Sequence, residues 1–169
     1  MAKYFIIQAT PAKTEQRITE QDFLEEHWFV GHADWVSELR QEEAERLLSL
    51  FQGEGGIVYD AKEHTLQVIS KETYFRSKWE RFRQVLSDLE KAELRHFLSS
   101  KDPVRKANEE EFNDPTMDLM MHNLCKAYDD RYGNYISDEN ANLITLDEWV
   151  RLVPEKTPMY VGTVLKYHI

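Results

Sequence analysis

The stretch TPMYVGTVLKYHI, residues 157–169, decides the fold that the sequence predicts. From Met159 onward, apolar or β-branched side chains occupy every second position, which is the spacing of one face of a strand. Pro158 stands just before this run, and proline is tolerated where a strand begins. We therefore predict a strand from about 159 to the end of the sequence, with one apolar face.

Three shorter runs predict the other strands of the same sheet. KYFIIQA, residues 3–9, is rich in aromatic and β-branched residues and ends at Thr10-Pro11, as a short buried strand does. Two more runs of β-formers, 57–59 and 65–69, flank a polar loop at 60–64. That pattern is typical of a hairpin.

The segments between these strands have helical spacing. Thr19 and Asp22 form a capping box, which predicts a short helical turn. Leucines on one side and glutamates on the other predict an amphipathic helix over 33–53. After Ser70, large apolar residues recur every three or four positions between 75 and 89, which predicts a long helix with a buried stripe.

The order of these elements is β-α-β-β-α-β, which predicts an α+β fold with a four-stranded antiparallel sheet. The ferredoxin-like arrangement fits this order, because its first crossover is right-handed. Extra helices are predicted before the last strand. We expect residues 1–169 to form a single α+β domain, in which 102–156 is an acidic, mainly helical insertion.

The net charge of −10 is concentrated in one part of the sequence. Residues 107–150 carry 11 acidic side chains against Lys126 and Arg131, a local net charge of −9. A basic footprint is absent from the chain as a whole, which argues against direct binding of nucleic acid. The field of the acidic region favours a cationic protein surface as partner.

Cysteine content and hydropathy predict the compartment. The single cysteine, Cys125, excludes an internal disulfide framework and favours a reducing compartment. No run approaches the roughly 18 apolar residues that could span a bilayer. We expect a cytoplasmic protein with no membrane partner, and a homodimer is compatible with the charge pattern.

Carboxylates of the acidic stretches are the candidate partner-binding residues. They are Glu38, Glu42, Glu45, Glu109, Glu110, Glu111, Asp114, Asp129, Asp130, Asp138 and Glu139. We hypothesise a non-enzymatic interaction protein whose carboxylates stand where nucleic-acid phosphates would, in the cationic groove of a restriction or CRISPR nuclease. Such a protein would act as an inhibitor that mimics nucleic-acid charge.

A small enzyme or ligand-binding domain is the alternative hypothesis. Its pocket would lie near the aromatic and histidine cluster at His27–His32, or on the helical stripe of Asp118, His122, Cys125 and Asp129. Four side chains on one helix span roughly 16 Å, too far for one tetrahedral ion. No G-x-S-x-G, H-E-x-x-H or C-x-x-C motif occurs, so no catalytic residue is predicted.

The loop YDDRYGNYISDENANLITLDEW, residues 128–149, has the composition of a calcium loop. Asp138, Asn140 and Asn142 alternate as oxygen ligands do, and Glu148 could be the bidentate end. The match fails in two places, because leucine stands where glycine is required and the span from Asp138 to Glu148 is 11 residues instead of twelve. We predict a capped, solvated loop, and no metal or cofactor.

Overall fold

The chain divides into two compact units, unit 1 (Met1–Phe75 and Asp130–Ile169) and unit 2 (Arg76–Asp129). The computed structural model describes residues 3–23, 35–50, 55–98, 116–129 and 133–168.

The described part of unit 1 contains one mixed sheet of seven strands, in the order β3-β4-β7-β1-β5-β6, with β2 also paired to β7. The strands are β1 Lys3–Thr10, β2 Trp35–Glu38, β3 Ile57–Asp60, β4 Thr65–Val68, β5 Tyr135–Ser137, β6 Leu143–Thr145 and β7 Met159–His168. β1 and β5 are parallel, and the other pairs are antiparallel.

Helices occur in both units. They are a 3₁₀ helix Glu20–Phe23, α1 Gln41–Leu50, α2 Lys71–Glu90, α3 Leu94–Leu98, α4 Met117–Tyr128 and α5 Leu146–Leu152. Threonine hydroxyls cap two of them: Thr116 accepts from Leu119 N at 3.3 Å, and Thr145 accepts from Glu148 N at 3.1 Å. None of the helices in the described ranges is long and apolar enough to cross a membrane.

The predicted four-stranded antiparallel sheet and its ferredoxin-like arrangement are wrong. Strands lie at all four predicted places, but β2, β5 and β6 also join the sheet, and the pair β1-β5 is parallel. β2 occupies 35–38, inside the predicted amphipathic helix, because these residues pair with the edge of β7. β5 and β6 have three residues each, too short to be recognised from alternation.

The sheet is covered on both faces, because alternation sends successive side chains of β1 to opposite sides. Ile7 joins a buried cluster with residues of α1 and α5. Ile6 joins a second cluster with Ile18 and Phe23, from the segment after β1. Helices therefore cover one face, and the segment 11–23 covers the other.

Unit 2 presents several large apolar side chains to solvent. Trp79 was expected in the buried stripe of the long helix but is 56% exposed. Its ring stacks on Phe82 with centroids 5.9 Å apart, and Phe82 meets the Tyr128 ring edge-on at 6.4 Å. The aromatic stripe therefore forms contacts within unit 2 without full burial of Trp79.

Candidate functional site

A gap between two strands opens the sheet of unit 1. β4 pairs with Met159 and Tyr160 of β7, and β2 pairs with the same edge at 165–168. Along residues 161–164 no described strand covers this edge. The opening has a volume of about 700 Å³, and we refer to it as the β7 cleft.

Single backbone hydrogen bonds define the two ends of the β7 cleft. Val161 N donates to His64 O at 2.8 Å, and Leu39 N donates to Val164 O at 2.9 Å. The start of β4 and the end of β2 thus approach β7 from opposite directions. The cleft forms where neither strand continues.

The segment 11–19 forms one wall, and the buried side chain of Gln8 holds it against the sheet. Gln8 Oε1 accepts from Thr163 N at 3.1 Å and from Ile18 N at 3.4 Å, while Nε2 donates to Gln16 O at 2.8 Å. The pairing of β1 with β7 shifts register at this point. The side chain of Gln8, instead of a strand backbone, therefore accepts the hydrogen bond from Thr163 N. Loss of Gln8 would release this wall.

This wall carries two cations. A Cβ added to Gly162 would lie 3.1 Å from Arg17 Nη1, so the guanidinium lies against the backbone of β7. Lys13 Nζ lies 5.4 Å from the centre of the Tyr160 ring. Neither Lys13 nor Arg17 forms an ion pair with a described residue.

Acidic side chains from the end of β2, from α1 and from the turn between β3 and β4 also line the cleft. Glu38 and Glu45 line the cleft, and Glu45 Oε1 accepts from Gln41 Nε2 at 3.0 Å. Neither carboxylate pairs with a described cation. Two of the predicted partner-binding residues therefore line the cleft, together with groups that the sequence did not indicate.

The turn between β3 and β4 completes the cleft. Asp60 Oδ1 accepts from Lys62 N at 2.9 Å and from Glu63 N at 3.2 Å, which shapes the turn. His64 has a φ of 51°, a left-handed conformation that is unfavourable for residues with a Cβ. Strained conformations of this kind are frequent at functional sites.

Hydroxyl groups lie at the floor of the cleft. The Tyr59 hydroxyl is 3.0 Å from His64 Nδ1. Burial raises the pKa of the Tyr59 phenol, and the carboxylates of Glu45 and Asp60 raise it further, so the phenol is protonated at neutral pH. Thr163 is 7% exposed, and its hydroxyl has no hydrogen-bond partner among the described residues.

Replacement of Tyr59 with phenylalanine tests this floor. Tyr59→Phe should lower the free energy of unfolding at pH 7 by about 1 kcal/mol, because the bond to His64 is lost. The raised pKa keeps Tyr59 protonated in the folded protein above pH ~10, where the unfolded chain loses the proton. Stability of the native sequence therefore falls there relative to the variant.

Urea unfolding of both proteins between pH 7 and about 11 measures this difference. The gap between their free energies of unfolding should narrow above pH ~10. A gap that stays constant over this range would contradict the raised pKa of Tyr59.

The other predicted partner-binding residues belong to several different elements. Glu42 is exposed on α1, Asp129 follows α4 in unit 2, and Asp138 and Glu139 lie in the connection between β5 and β6. The remaining five lie outside the described residues: Glu109, Glu110, Glu111, Asp114 and Asp130. Their role as one binding surface stays a prediction.

Asp138 uses its carboxylate to hold its own turn. Oδ1 accepts from Asn140 N at 2.8 Å and from Asn142 N at 3.0 Å, while Oδ2 accepts from Asn142 Nδ2 at 2.8 Å. Burial alone would raise the pKa of this carboxyl, but hydrogen bonds from Asn142 and Asn140 outweigh it and lower the pKa. The oxygens resemble those of an Asx turn and not a converging ligand set.

Loss of this turn should be measurable. Asp138→Ala should lower the free energy of unfolding by about 1 kcal/mol at pH 7. Because the folded pKa is lowered, the contribution of Asp138 is present above the unfolded pKa of about 3.9 and is lost as pH falls through the folded pKa. Urea unfolding should show a smaller difference in the free energy of unfolding between the native protein and Asp138→Ala at pH ~3 than at pH 7. Glu139→Ala, the control, should change the free energy of unfolding little at either pH.

The other candidate sites do not assemble in the described residues. Across those ranges, no group of three or more His, Cys, Asp or Glu side chains could hold a metal ion. Asp118, His122 and Cys125 lie on α4 without forming such a group, and His27–His32 lies outside the described residues.

Sequence reasoning missed most of the cleft. Lys13, Arg17, Tyr59, His64 and Thr163 come from three separate segments, and no local motif relates them. The polar loop at 60–64 was recognised as a hairpin connection, but its position beside β7 has no signal in the sequence. A comparison with protein-family models, curated proteins and solved structures finds no match to this chain.

Proposed function

We propose that this protein is a ligand-binding protein and that the β7 cleft is its binding site. The observation that carries the proposal is a cleft of about 700 Å³ with a buried floor and a charged rim, formed by four segments of one sheet unit. That volume lies within the range of small-molecule pockets, roughly 300–1,000 Å³. Polar groups that converge on such a cleft fix the orientation of a ligand.

The side chains at the floor favour binding over acid–base catalysis. The Tyr59 hydroxyl is bonded to His64 Nδ1, and its raised pKa moves it away from the operating range of a general base near neutral pH. The hydroxyl of Thr163 is available as both donor and acceptor. These groups suit recognition of a polar ligand.

A cleft-blocking variant tests the proposal. Gln41 is an exposed residue of α1 that lines the cleft, so Gln41→Trp should obstruct the entrance. Ser49 is exposed on the same helix outside the cleft, and Ser49→Trp is the matched control. Amide chemical shifts would be followed by NMR while single amino acids, short peptides, sugars and inorganic phosphate are added to each protein.

We expect at least one compound to shift the amides of Tyr59, Thr163 and Val164 in the native protein and in Ser49→Trp. The same compound should cause at least tenfold smaller shifts in Gln41→Trp. If no compound perturbs these amides, or if Gln41→Trp responds as the control does, the cleft is not a binding site.

An acidic interaction protein is the second candidate function, supported by unneutralised carboxylates on α1. Glu42 and Glu43 are exposed and form no ion pair with a described residue. Together with the acidity of residues 107–150, they would steer a cationic partner. In its most specific form, this hypothesis is an inhibitor that mimics nucleic-acid charge against a restriction or CRISPR nuclease.

DNA cleavage by purified nucleases of these two classes, with the protein added, tests the second candidate. Inhibition should weaken as salt rises from about 50 to about 300 mM, because exposed charges are screened. The pair Glu42→Gln with Glu43→Gln should weaken it further, whereas Glu15→Gln, at an exposed position outside α1, should not. If neither salt nor the replacement of Glu42 and Glu43 changes the inhibition, charge mimicry is excluded.

Both candidate functions are compatible with a reducing compartment. Cys125 is unpaired and exposed, as expected of a thiol kept reduced. We therefore propose the cytoplasm as the place of action.

A further inference from the structure

We infer that the β7 cleft binds an uncharged ligand that is dense in hydroxyl groups, a neutral mono- or disaccharide. This inference rests on the proposed function of the cleft and adds the chemical class of the ligand. The observation that carries it is a set of charged side chains of both signs that line one cleft without forming ion pairs with described residues.

The charges that line the cleft balance in number. Besides His64, whose Nδ1 is hydrogen-bonded to the Tyr59 hydroxyl, three cations and three carboxylates line it: Lys13, Arg17 and Lys62 against Glu38, Glu45 and Glu63. A cleft that carries one sign of charge steers ions of the other sign towards it. Equal numbers of both signs favour neither cations nor anions, so long-range charge does not select the ligand.

The two signs of charge are also intermixed around the opening. Glu38 lies opposite Leu165 in the pairing of β2 with β7, and opposite residues of two paired strands share a face of the sheet. Leu165 belongs to the same buried cluster as Ile18, so Glu38 shares a face with the wall that carries two cations. Lys62 and Glu63 are neighbours in the turn between β3 and β4. An ionic group of a ligand would therefore find like as well as opposite charges around it.

None of these six side chains forms an ion pair with a described residue. When a ligand displaces water from the cleft, each charged group that it covers needs a new hydrogen-bond partner. A carboxylate can only accept hydrogen bonds, and an ammonium or guanidinium group can only donate them. The ligand must therefore offer both donors and acceptors.

Hydroxyl groups meet this requirement, because each of them both donates and accepts. A sugar carries hydroxyls around its ring, so it can donate to carboxylates and accept from cations without a charge of its own. Hydrogen bonds with one ionised partner are roughly twice as strong as those between neutral groups. Intermixed charges that do not pair with each other are therefore suited to a neutral ligand with many hydroxyls.

The floor of the cleft has the same dual capacity. Thr163 is 7% exposed and lines the cleft, and its hydroxyl has no hydrogen-bond partner among the described residues. This hydroxyl can donate to a ligand oxygen or accept from a ligand hydroxyl. The volume of about 700 Å³ is that of a small-molecule pocket, which limits the ligand to one or two sugar rings.

Titrations of the full chain with neutral and charged compounds, followed by amide NMR, test the inference. The neutral probes are glucose, galactose, maltose and lactose, and the charged probes are inorganic phosphate, putrescine and trialanine. At least one sugar should shift the amides of Tyr59, Thr163 and Val164 to saturation and should bind at least tenfold more tightly than every charged probe. If a charged probe binds most tightly, the inference is overturned.

Salt provides an independent readout of the same titrations. Salt screens the attraction between charges and has little effect on a ligand without charge. The affinity for the sugar should therefore change by less than about twofold between about 50 and about 300 mM salt. An affinity that falls steeply over this range would contradict a neutral ligand.

Charge-removing variants distinguish a neutral ligand from an ionic one. Arg17→Gln and Glu38→Gln should each weaken sugar binding by roughly three- to tenfold, because each removes a charge-assisted hydrogen bond. An anionic ligand would instead bind Glu38→Gln more tightly, and a cationic ligand would bind Arg17→Gln more tightly. Opposite effects of the two variants would overturn the inference. Arg46→Gln and Glu43→Gln, at exposed positions of α1 outside the cleft, should leave the affinity unchanged.

A change at the floor tests the hydroxyl of Thr163. Thr163→Val keeps the shape of the side chain and removes the hydroxyl, so it should weaken sugar binding by about tenfold. Thr163→Ser retains the hydroxyl and should bind the sugar as the native protein does. Equal affinities of Thr163→Val and the native protein would contradict this contact.

The outcomes separate this inference from the function on which it rests. If every sugar fails to bind but a charged probe shifts the cleft amides and Gln41→Trp abolishes that shift, the ligand class is wrong and the cleft remains a binding site. If no compound acts on the cleft, both proposals fail.

Discussion

Replacing Gly162 with alanine is expected to lower the free energy of unfolding by about 3 kcal/mol. A Cβ at this position would clash with Gln8 Oε1 and would lie 2.7 Å from Gln8 Cδ. Gln8 is fully buried, and its carboxamide makes three hydrogen bonds to the backbone. The side chain cannot move without breaking bonds that hold the cationic wall, so overpacking and lost hydrogen bonds add together.

Urea unfolding followed by tryptophan fluorescence measures this effect, and a double-mutant cycle assigns its cause. Gln8→Ala removes the atoms that the new methyl group would meet, so Gly162→Ala should destabilise the Gln8→Ala background by much less than the native protein. Equal losses in the two backgrounds would show that the clash with Gln8 is not the cause.

Replacing Gly56 with alanine is expected to destabilise unit 1 by about 4 kcal/mol. Gly56 has a φ of 81°, and its added Cβ would lie 2.6 Å from Ser70 O and 2.7 Å from Tyr74 N. These atoms belong to the backbone at the start of α2, which cannot yield as a flexible side chain can. Gly56 O also accepts from Ile69 N at 2.7 Å. A shift of the Gly56 backbone away from the clash would therefore break this hydrogen bond to the segment between β4 and α2.

Gly55 provides a matched control for this prediction. It also has a positive φ, 74°, but its added Cβ would meet only the Thr73 side chain, at 3.1 Å. Gly55→Ala should therefore lower the free energy of unfolding by about 1 kcal/mol, mostly through the left-handed backbone. Similar losses for the two variants in urea unfolding would exclude the clash with the backbone of α2.

Local signals predicted several elements well. One half of the capping box at Thr19 is present, since Thr19 N donates to Asp22 Oδ2 at 2.6 Å, and a 3₁₀ helix follows at Glu20–Phe23. The hairpin of β3 and β4 occupies the predicted place because its alternating and turn residues are neighbours in sequence. Such features depend on hydrogen bonds within a few residues, which a sequence specifies directly.

These local signals do not predict which strands pair with each other. Trp35–Glu38 has no property that distinguishes a strand from the first turn of a helix, and its pairing with 165–168 decides the outcome. Trp79 was predicted to be buried but is exposed. Helical spacing identifies an apolar stripe but does not show what covers it. Of the predicted site residues, the structure brings Glu38 and Glu45 to one cleft, which is also lined by Lys13 and Arg17.

The sequence by itself predicted several local conformations: the long alternating strand at 159–168, the hairpin of β3 and β4, the turn at Thr19 and the long helix after Ser70. The tertiary structure alone decided that the last strand pairs with β1 on one edge and with both β4 and β2 on the other. That shared edge creates the cleft, because two strands approaching from opposite ends leave 161–164 uncovered. The pairs of the last strand join residues 93 to 165 positions apart, whereas hydrophobic spacing reports only on neighbours along the chain.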